Sequence, residues 1–266
     1  MRPLRRAVPV VLLALLLALA GCNFAGGPNP SPNATPTSEQ PQQPPGVQNG
    51  TLQDTTALLD AHEATMVESG FESDFRVNAT VQSQGQLFDI QRRQQTIVEA
   101  GRGEYQYRTT NGGDGPNARF DVWANDSVAV VRAQSGSTTH YQLDEPAATG
   151  ELVNRKVLAP YLRASTFTVE GVKETGNRTL VTLTATGFDA ENPALVPPNA
   201  TDARNYEATL VVDTEGRVLS FSASADYTID GEDASMTMEY EILQLGDPSV
   251  EKPTWAQEAV RQADDG

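Results

Sequence analysis

From residue 71 onward, apolar side chains fall on alternate positions. Phe75, Val77, Ala79 and Val81 alternate with Arg76, Asn78, Thr80 and Gln82; Tyr105 and Tyr107 alternate with Glu104 and Gln106; Phe120 and Val122 flank Asp121. Short runs of the same kind lie at 128–132 and 138–143, and the pattern resumes at 167–173, 180–185, 206–212, 218–229 and 236–245. A period of two sends successive side chains to opposite faces of a strand, so each run predicts one apolar and one polar face. Asp213-Thr214-Glu215-Gly216 and Asp230-Gly231-Glu232-Asp233 carry hairpin turn chemistry. Consecutive hairpins predict an antiparallel meander of about ten strands, which must curl or close because a flat sheet would leave its apolar face wet.

Helical periodicity replaces alternation in two places. Leu52, Leu59 and Met66 repeat every seven residues, Leu58 widens the stripe and Gly70 stops it, so the spacing predicts a helix over about 52–68. His62 falls on that stripe and is read as a packed core residue. Residues 149–163 predict a second helix, with Leu152, Val153, Val157 and Leu158 apolar and Pro160 breaking its end. Residues 187–203 show no period and hold Phe188, Leu195 and Val196 among prolines, which reads as a long irregular loop of the lid or binding kind. Behind the last strand, Pro253-Thr254-Trp255 leads into a short helix or tail at 251–266. The elements together give an α+β fold.

The first 22 residues follow a different logic. Arg2, Arg5 and Arg6 precede the apolar stretch 7–20, too short to span a bilayer but suited to a signal peptide at 1–21. Leu19-Ala20-Gly21-Cys22 places small residues ahead of the chain's only cysteine and resembles the lipobox of prokaryotic lipoproteins. That resemblance implies lipidated Cys22, hence export and anchorage to the outer face of the cytoplasmic membrane, with the membrane as partner. Arg5-Arg6 also suits twin-arginine export, although Pro9 interrupts the apolar positions behind it, and both routes stay open. Residues 22–50 carry seven prolines among Asn, Ser, Thr, Gln and Gly; they cannot bury enough apolar area to offset chain entropy and read as a tether. The folded domain is expected over 51–250.

Charge and composition narrow the function. The chain has 35 acidic and 19 basic side chains, a formal charge of −16. Removal of the signal peptide leaves 16 basic side chains and a charge of −19. Such a surface repels nucleic acid phosphates, so no nucleic acid partner is expected. Only three of the basic residues are lysine; acidity with scarce lysine resembles haloarchaeal proteins, whose charge molar salt screens to about 3 Å. One cysteine excludes an internal disulfide and a multi-cysteine metal site. Asn-x-Ser/Thr sequons begin at Asn33, Asn49, Asn78, Asn125, Asn177 and Asn199, against roughly two expected by chance, and mark candidate N-glycosylation sites.

A helix, then a long antiparallel sheet with a helix inserted midway, behind a lipobox, resembles the LolA-like lipoprotein carriers. It is similar also to haloarchaeal surface lipoproteins of unknown function, in which a helix like 57–70 runs into the first strand and a Pro-x-Trp like Pro253-Thr254-Trp255 follows the last. The resemblance covers about 51–256. It implies a half-open barrel, a large curved antiparallel sheet with the N-terminal and inserted helices on its concave face, and an apolar cavity for acyl chains. It supplies no catalytic residue.

The chemistry needed for hydrolysis is sparse. His62 and His140 are the only candidate imidazole bases, and His140 sits in an apparent strand beside Tyr141. No Gly-x-Ser-x-Gly elbow, zincin pair, phosphate loop or calcium-loop spacing is present. The expectation is therefore a non-enzyme without cofactor or metal. Its leading form is a surface lipoprotein that binds a lipid or other hydrophobic ligand against an inward face of Leu210, Val212, Phe221, Ala225, Tyr227, Met238 and Tyr240. Phe188, Leu195 and Val196 are the candidate lid. The alternative is an envelope interaction or sensor module in which the same sheet is solidly packed and meets an envelope protein through polar contacts.

Overall fold

A computed structural model of the chain describes residues 43–114, 117–189, 195–246 and 248–264. The signal peptide, Cys22, Asn33 and most of the expected tether lie outside the described residues. Two turns of the chain explain the topology. After helix α1 (Thr55–Ser69), strands β3 (Phe71–Ser83), β4 (Gln86–Val98), β5 (Tyr105–Gly113), β6 (Ala118–Ala124), β7 (Ala129–Ser135) and β8 (Thr138–Asp144) run as a meander toward one edge. Helices α2 (Thr149–Leu152) and α3 (Arg155–Leu162) carry the chain back across the sheet. A second meander, β9 (Thr168–Thr175), β10 (Arg178–Thr186), β11 (Ala200–Asp213), β12 (Val218–Ile229) and β13 (Glu232–Leu245), then returns until β13 pairs with β3.

A small hairpin, β1 (Val47–Gln48) and β2 (Thr51–Leu52), adds to β9, giving one antiparallel sheet of thirteen strands in the order β1-β2-β9-β10-β11-β12-β13-β3-β4-β5-β6-β7-β8. The two edge strands do not meet, so the sheet stays open. Helix α4 (Thr254–Asp264) is the last described element.

Three elements depart from the sequence pattern. Folded structure begins inside the segment read as tether: Asn49 (φ 51°) and Gly50 (φ 75°) form a tight hairpin turn, and Val47 is buried. The expected helix 149–163 is two helices, split where Asn154 adopts left-handed φ 56°. Pro160 does not end α3 but lies within it, and the chain leaves the helix at Arg163. Strand β4 carries no alternation in the sequence reading and yet sits at the middle of the first meander.

The apolar faces fold inward on the helices. Leu58, Leu59, Leu158 and Leu162 share one buried cluster with Phe75 and the inward side chains of β10 to β13. Met66, at the far end of α1, belongs to a second cluster with Phe71, Val98, Tyr105, Val122 and Leu152. α1 therefore pins both meanders to one another. Asp54 caps its start by accepting from the Ala57 amide at 2.9 Å, and Gly70 at φ 70° ends it.

The outward face of the first meander is built from ion pairs. Asp121 is 5% exposed and accepts from three guanidinium groups, Arg108 Nε (2.8 Å), Arg119 Nε (2.8 Å) and Arg132 Nη2 (3.0 Å). Asp74 accepts from Arg93 Nε (3.0 Å) and Arg76 Nη2 (3.1 Å). Burial alone would raise both carboxyl pKa values; the arginine hydrogen bonds outweigh it, bringing Asp121 down to about 2 and Asp74 below the ordinary carboxylate range. α4 lies over this face, where Ala256 and Ala259 pack on Trp123 and Val130.

Candidate functional site

The inward face is assembled by register. One rung of paired residues runs Val169, Leu183, Leu210, Phe221, Tyr240 and Phe75 across six strands. The next rungs add Ala223 and Met238, then Ala225 and Met236. Leu210, Val212, Phe221, Ala225, Tyr227, Met238 and Tyr240 are all buried and all belong to the same cluster. The sequence pattern thus gathers seven residues from three strands onto one surface, because consecutive strands with period two and tight turns keep their apolar sides in register.

Two phenol hydroxyls inside this face are tied off, whereas buried Ser73 Oγ on β3 has no partner among the described residues. Tyr206 Oη donates to the Tyr161 carbonyl at 2.8 Å, and Tyr227 Oη lies 2.6 Å from the Thr80 carbonyl oxygen. Burial raises the phenol pKa of Tyr161 and Tyr227 to about 12, and pushes Tyr206 and Tyr240 up as well. His62 is fully buried; its Nδ1 accepts from the Val218 amide at 3.2 Å, so the ring proton sits on Nε2, 3.4 Å from Tyr240 Oη. Desolvation pulls its pKa down to about 4, against a backbone contact at Val153 that opposes the shift. The ring is a neutral core residue, as its place on the helix stripe predicts. His140 is exposed on edge strand β8, on the inward rung that continues from Phe75 through Gln94, Thr109, Phe120 and Ala133.

The apolar surface is covered in two ways. α1 and α3 supply helical cover. The described residues of the segment between β10 and β11, Phe188, Leu195 and Val196 among them, pack against the same cluster, each of the three half-buried. Its upstream end is fixed by the Asp189 amide donating to the Ala164 carbonyl (2.9 Å), and Phe188 stacks on Tyr206 with ring centroids 4.9 Å apart. Its downstream end is fixed by Asn199 Nδ2 donating to Gln82 Oε1 at 2.8 Å. Strand β11 begins at Ala200, inside the loop expected over 187–203. The lid and ligand-face candidates are therefore neighbours in space.

Among the sequons within the described residues, Asn49, Asn78, Asn177 and Asn199 are exposed. Asn125 differs: its Oδ1 accepts from the Ser127 and Val128 amides and shapes the β6–β7 turn. The sequence reading did not single out the outward arginines. Their signal was present as five arginines on strands of a strongly acidic chain.

A model described as a family of unknown function, DUF7537, matches residues 7–259. No curated protein matches the chain. Among solved structures, a DUF1329 family protein from Desulfovibrio piger is similar at 7% identity over 77% of this chain and 97% of that one, with a TM-score of 0.27. A LolA superfamily protein from Nitrosomonas europaea is similar at 10% identity over 73% and 93%, with a TM-score of 0.23. A beta-barrel-like DUF1849 protein from Brucella abortus is similar at 11% identity over 67% and 98%, with a TM-score of 0.22. Likeness at this level carries no argument for this chain, whose fold stands on its own strand order.

Proposed function

This chain belongs to the family of unknown function DUF7537, and we propose that it is an exported, non-catalytic surface lipoprotein that takes up a hydrophobic chain against the inward face of its sheet. The supporting observation is how that face is covered. Alongside α1 and α3, Phe188, Leu195 and Val196 pack on it from the connection between β10 and β11, whose described ends are held by a few hydrogen bonds. Displacing these three side chains leaves the sheet's own hydrogen bonds intact. A ligand entering there replaces side chain contacts with its own methylene contacts, each worth about 0.8 kcal/mol on burial. The adaptable side chains of Met236 and Met238 lie on the same surface.

Lipidation of Cys22 would hold this domain at the outer face of the cytoplasmic membrane, in the manner of the haloarchaeal surface lipoproteins it resembles. The remaining tether then sets its distance from the lipid.

The test is extraction of bound small molecules from the chain purified in molar salt, with mass spectrometry against a matched mock preparation. A lipid at stoichiometric amount is the expected result. Ala225 is 2% exposed, and Ala225→Trp fills the surface at a cost of about 1–3 kcal/mol; the folded variant is expected to lose the lipid. An empty wild-type domain that also refuses added lipid sinks the reading.

A further inference from the structure

The two edges of the sheet are built differently. At one edge, β1 is only two residues long, and β9 behind it carries a bulge opposite Thr182 and Leu183 and the charges of Glu170, Lys173 and Glu174. Short strands, bulges and charged side chains keep an open edge from pairing with another chain. At the other edge, β8 has none of these devices along its length. It pairs with β7 at seven successive positions, Thr138 to Asp144, without a register shift, and it holds no proline, lysine or arginine. Each of its residues is exposed, Tyr141 and Leu143 at 49% and 41%. No described element pairs with its free side, where alternate residues direct backbone N–H and C=O groups outward.

The sequence of β8 is complementary to itself in one antiparallel register. With a twofold axis at Gln142, His140 of one copy lies opposite Asp144 of the other, Tyr141 lies opposite Leu143, and Gln142 lies opposite its own copy. Opposite residues share a face, so the imidazole meets the carboxylate on the inward side and the phenol ring meets the leucine on the outward side, each pair occurring twice. Moving the axis to Tyr141 sets His140 against Gln142, and moving it to Leu143 sets Tyr141 against Glu145; both registers lose the His140–Asp144 pairs. The groups involved are available. The His140 and Gln142 side chains have no hydrogen-bond partner among the described residues, and Asp144 uses only Oδ1, which accepts from the Glu145 amide at 2.8 Å.

We propose that the β8 edge binds a second copy of this chain, joining two sheets into one continuous antiparallel sheet through the register centred on Gln142. Such an interface is isologous and closes at two copies. Main-chain hydrogen bonds supply adhesion, and the doubled His140–Asp144 and Tyr141–Leu143 pairs select the register. Tyr141 is held for this contact by Trp255, which stacks on it with ring centroids 6.5 Å apart; the incoming Leu143 extends that apolar line. A strand contact this short belongs to the class below about 1,200 Å² that forms transient complexes, so the dimer is expected at high protein concentration. The chain's formal charge of −16 opposes association in dilute buffer. Molar salt shortens that repulsion to about 3 Å and favours the dimer.

The experiment is sedimentation of the full chain in molar salt at rising concentration, up to about 1 mM. The dimer fraction is expected to grow with concentration. Gln142→Lys sets two ammonium groups against each other at the axis and is expected to raise the dissociation constant severalfold. Its Tm is expected to stay unchanged, because Gln142 is exposed and unpaired. The same substitution makes each copy less negative, so an effect of overall charge alone would strengthen the dimer. Gln142→Cys in a Cys22→Ser background places two thiols opposite each other and is expected to form an intermolecular disulfide on oxidation with diamide. Leu143→Cys in the same background lies two positions out of line with its copy and is expected to cross-link far more slowly. A chain that stays monomeric throughout overturns the proposal, as does a dimer indifferent to Gln142→Lys or faster cross-linking of Leu143→Cys. A dimer broken instead by Val172→Lys, on the exposed side of β9, assigns the contact to the other edge and overturns it too. Lipid uptake on the inward face is read separately, so either proposal can fail alone.

Discussion

Along one inward rung the sheet changes character at the strand where its two meanders meet. From β9 to β3 the rung reads Val169, Leu183, Leu210, Phe221, Tyr240, Phe75, and from β4 onward it reads Gln94, Thr109, Phe120, Ala133, His140. The outward faces change in step. The second meander shows the short side chains Thr209, Ser222, Ser224 and Thr237 along its strands and keeps its ion pairs near the strand ends, Arg204 with Asp202 and Asp233 and Arg217 with Asp213; the first meander shows linked arginines and aspartates along its strands. One half is held mainly by apolar burial inside, the other more by charge pairing outside. The same backbone topology is thus stabilised by two different balances of forces, and this makes the halves separable by experiment.

The largest separation comes from Asp121→Ala. It leaves three guanidinium groups facing one another around a buried point, and loss of one partner from such a site destabilises by about 3 kcal/mol. Asp226→Ala, on the outward face of the other half, removes an acceptor for Asn205 alone and is expected to cost under about 0.5 kcal/mol. Urea unfolding of both variants measures the difference. Similar costs would mean that the arginine network contributes no more than ordinary surface polarity.

Acid separates the halves next. Burial lowers the His62 pKa in the folded state to about 4, so between its unfolded value near 6.5 and pH 4 the unfolded chain binds the extra proton. Its contribution is intact above pH 6.5 and is lost as pH falls toward 4, amounting to about 3 kcal/mol. Asp121 behaves in the other acidic window: pairing depresses its folded pKa, so its contribution is present above 3.8 and is lost as pH falls through about 2. Stability measured against pH is expected to fall in two stages. His62→Leu removes the first stage, and Asp121→Asn shrinks the second, which Asp74 shares. A first stage that survives His62→Leu belongs to some other group.

The contrast also explains what could be read in the sequence. Ten strands and the seven inward residues follow from alternation, and the body of α1 from helical spacing, because apolar burial leaves a periodic trace; the start of α1 does not, since Leu52, counted on the helical stripe, lies in β2 and the helix begins at Thr55. Strand β4 leaves no such trace over 91–95, where Gln-Arg-Arg-Gln-Gln pairs with a polar stretch of β5. Its two faces are satisfied by different polar networks: Arg93 pairs with Asp74 outward, and Gln94 donates to Thr96 inward. The β1–β2 hairpin was masked by its Asn49-Gly50-Thr51 reading as a sequon, although Asn-Gly is also a strong turn signal. The place of α4 over Trp123 and Val130 was illegible for a further reason. It needs the C-terminal segment folded back over strands more than a hundred residues earlier in the chain, and no local pattern encodes that return.

The smallest effect tests how the two halves are joined. α1 places Leu58 and Leu59 in the inward cluster of the second meander and Met66 in the cluster of the first. Its N-terminal turn is held by Asp54, whose side chain accepts from the Ala57 amide, while its C-terminal end is fixed separately by Gly70. Asp54→Ala is expected to cost about 1 kcal/mol. The loss falls on one end of the helix, so hydrogen exchange should quicken at the Ala57 and Leu58 amides and remain unchanged in β5 and β6. Equal quickening in β5 and β6 would mean that α1 transmits strain along its length and that the two halves open as one unit. Quickening confined to the first turn means that the Leu58 end and the Met66 end of α1 are held separately, each by the cluster of its own meander.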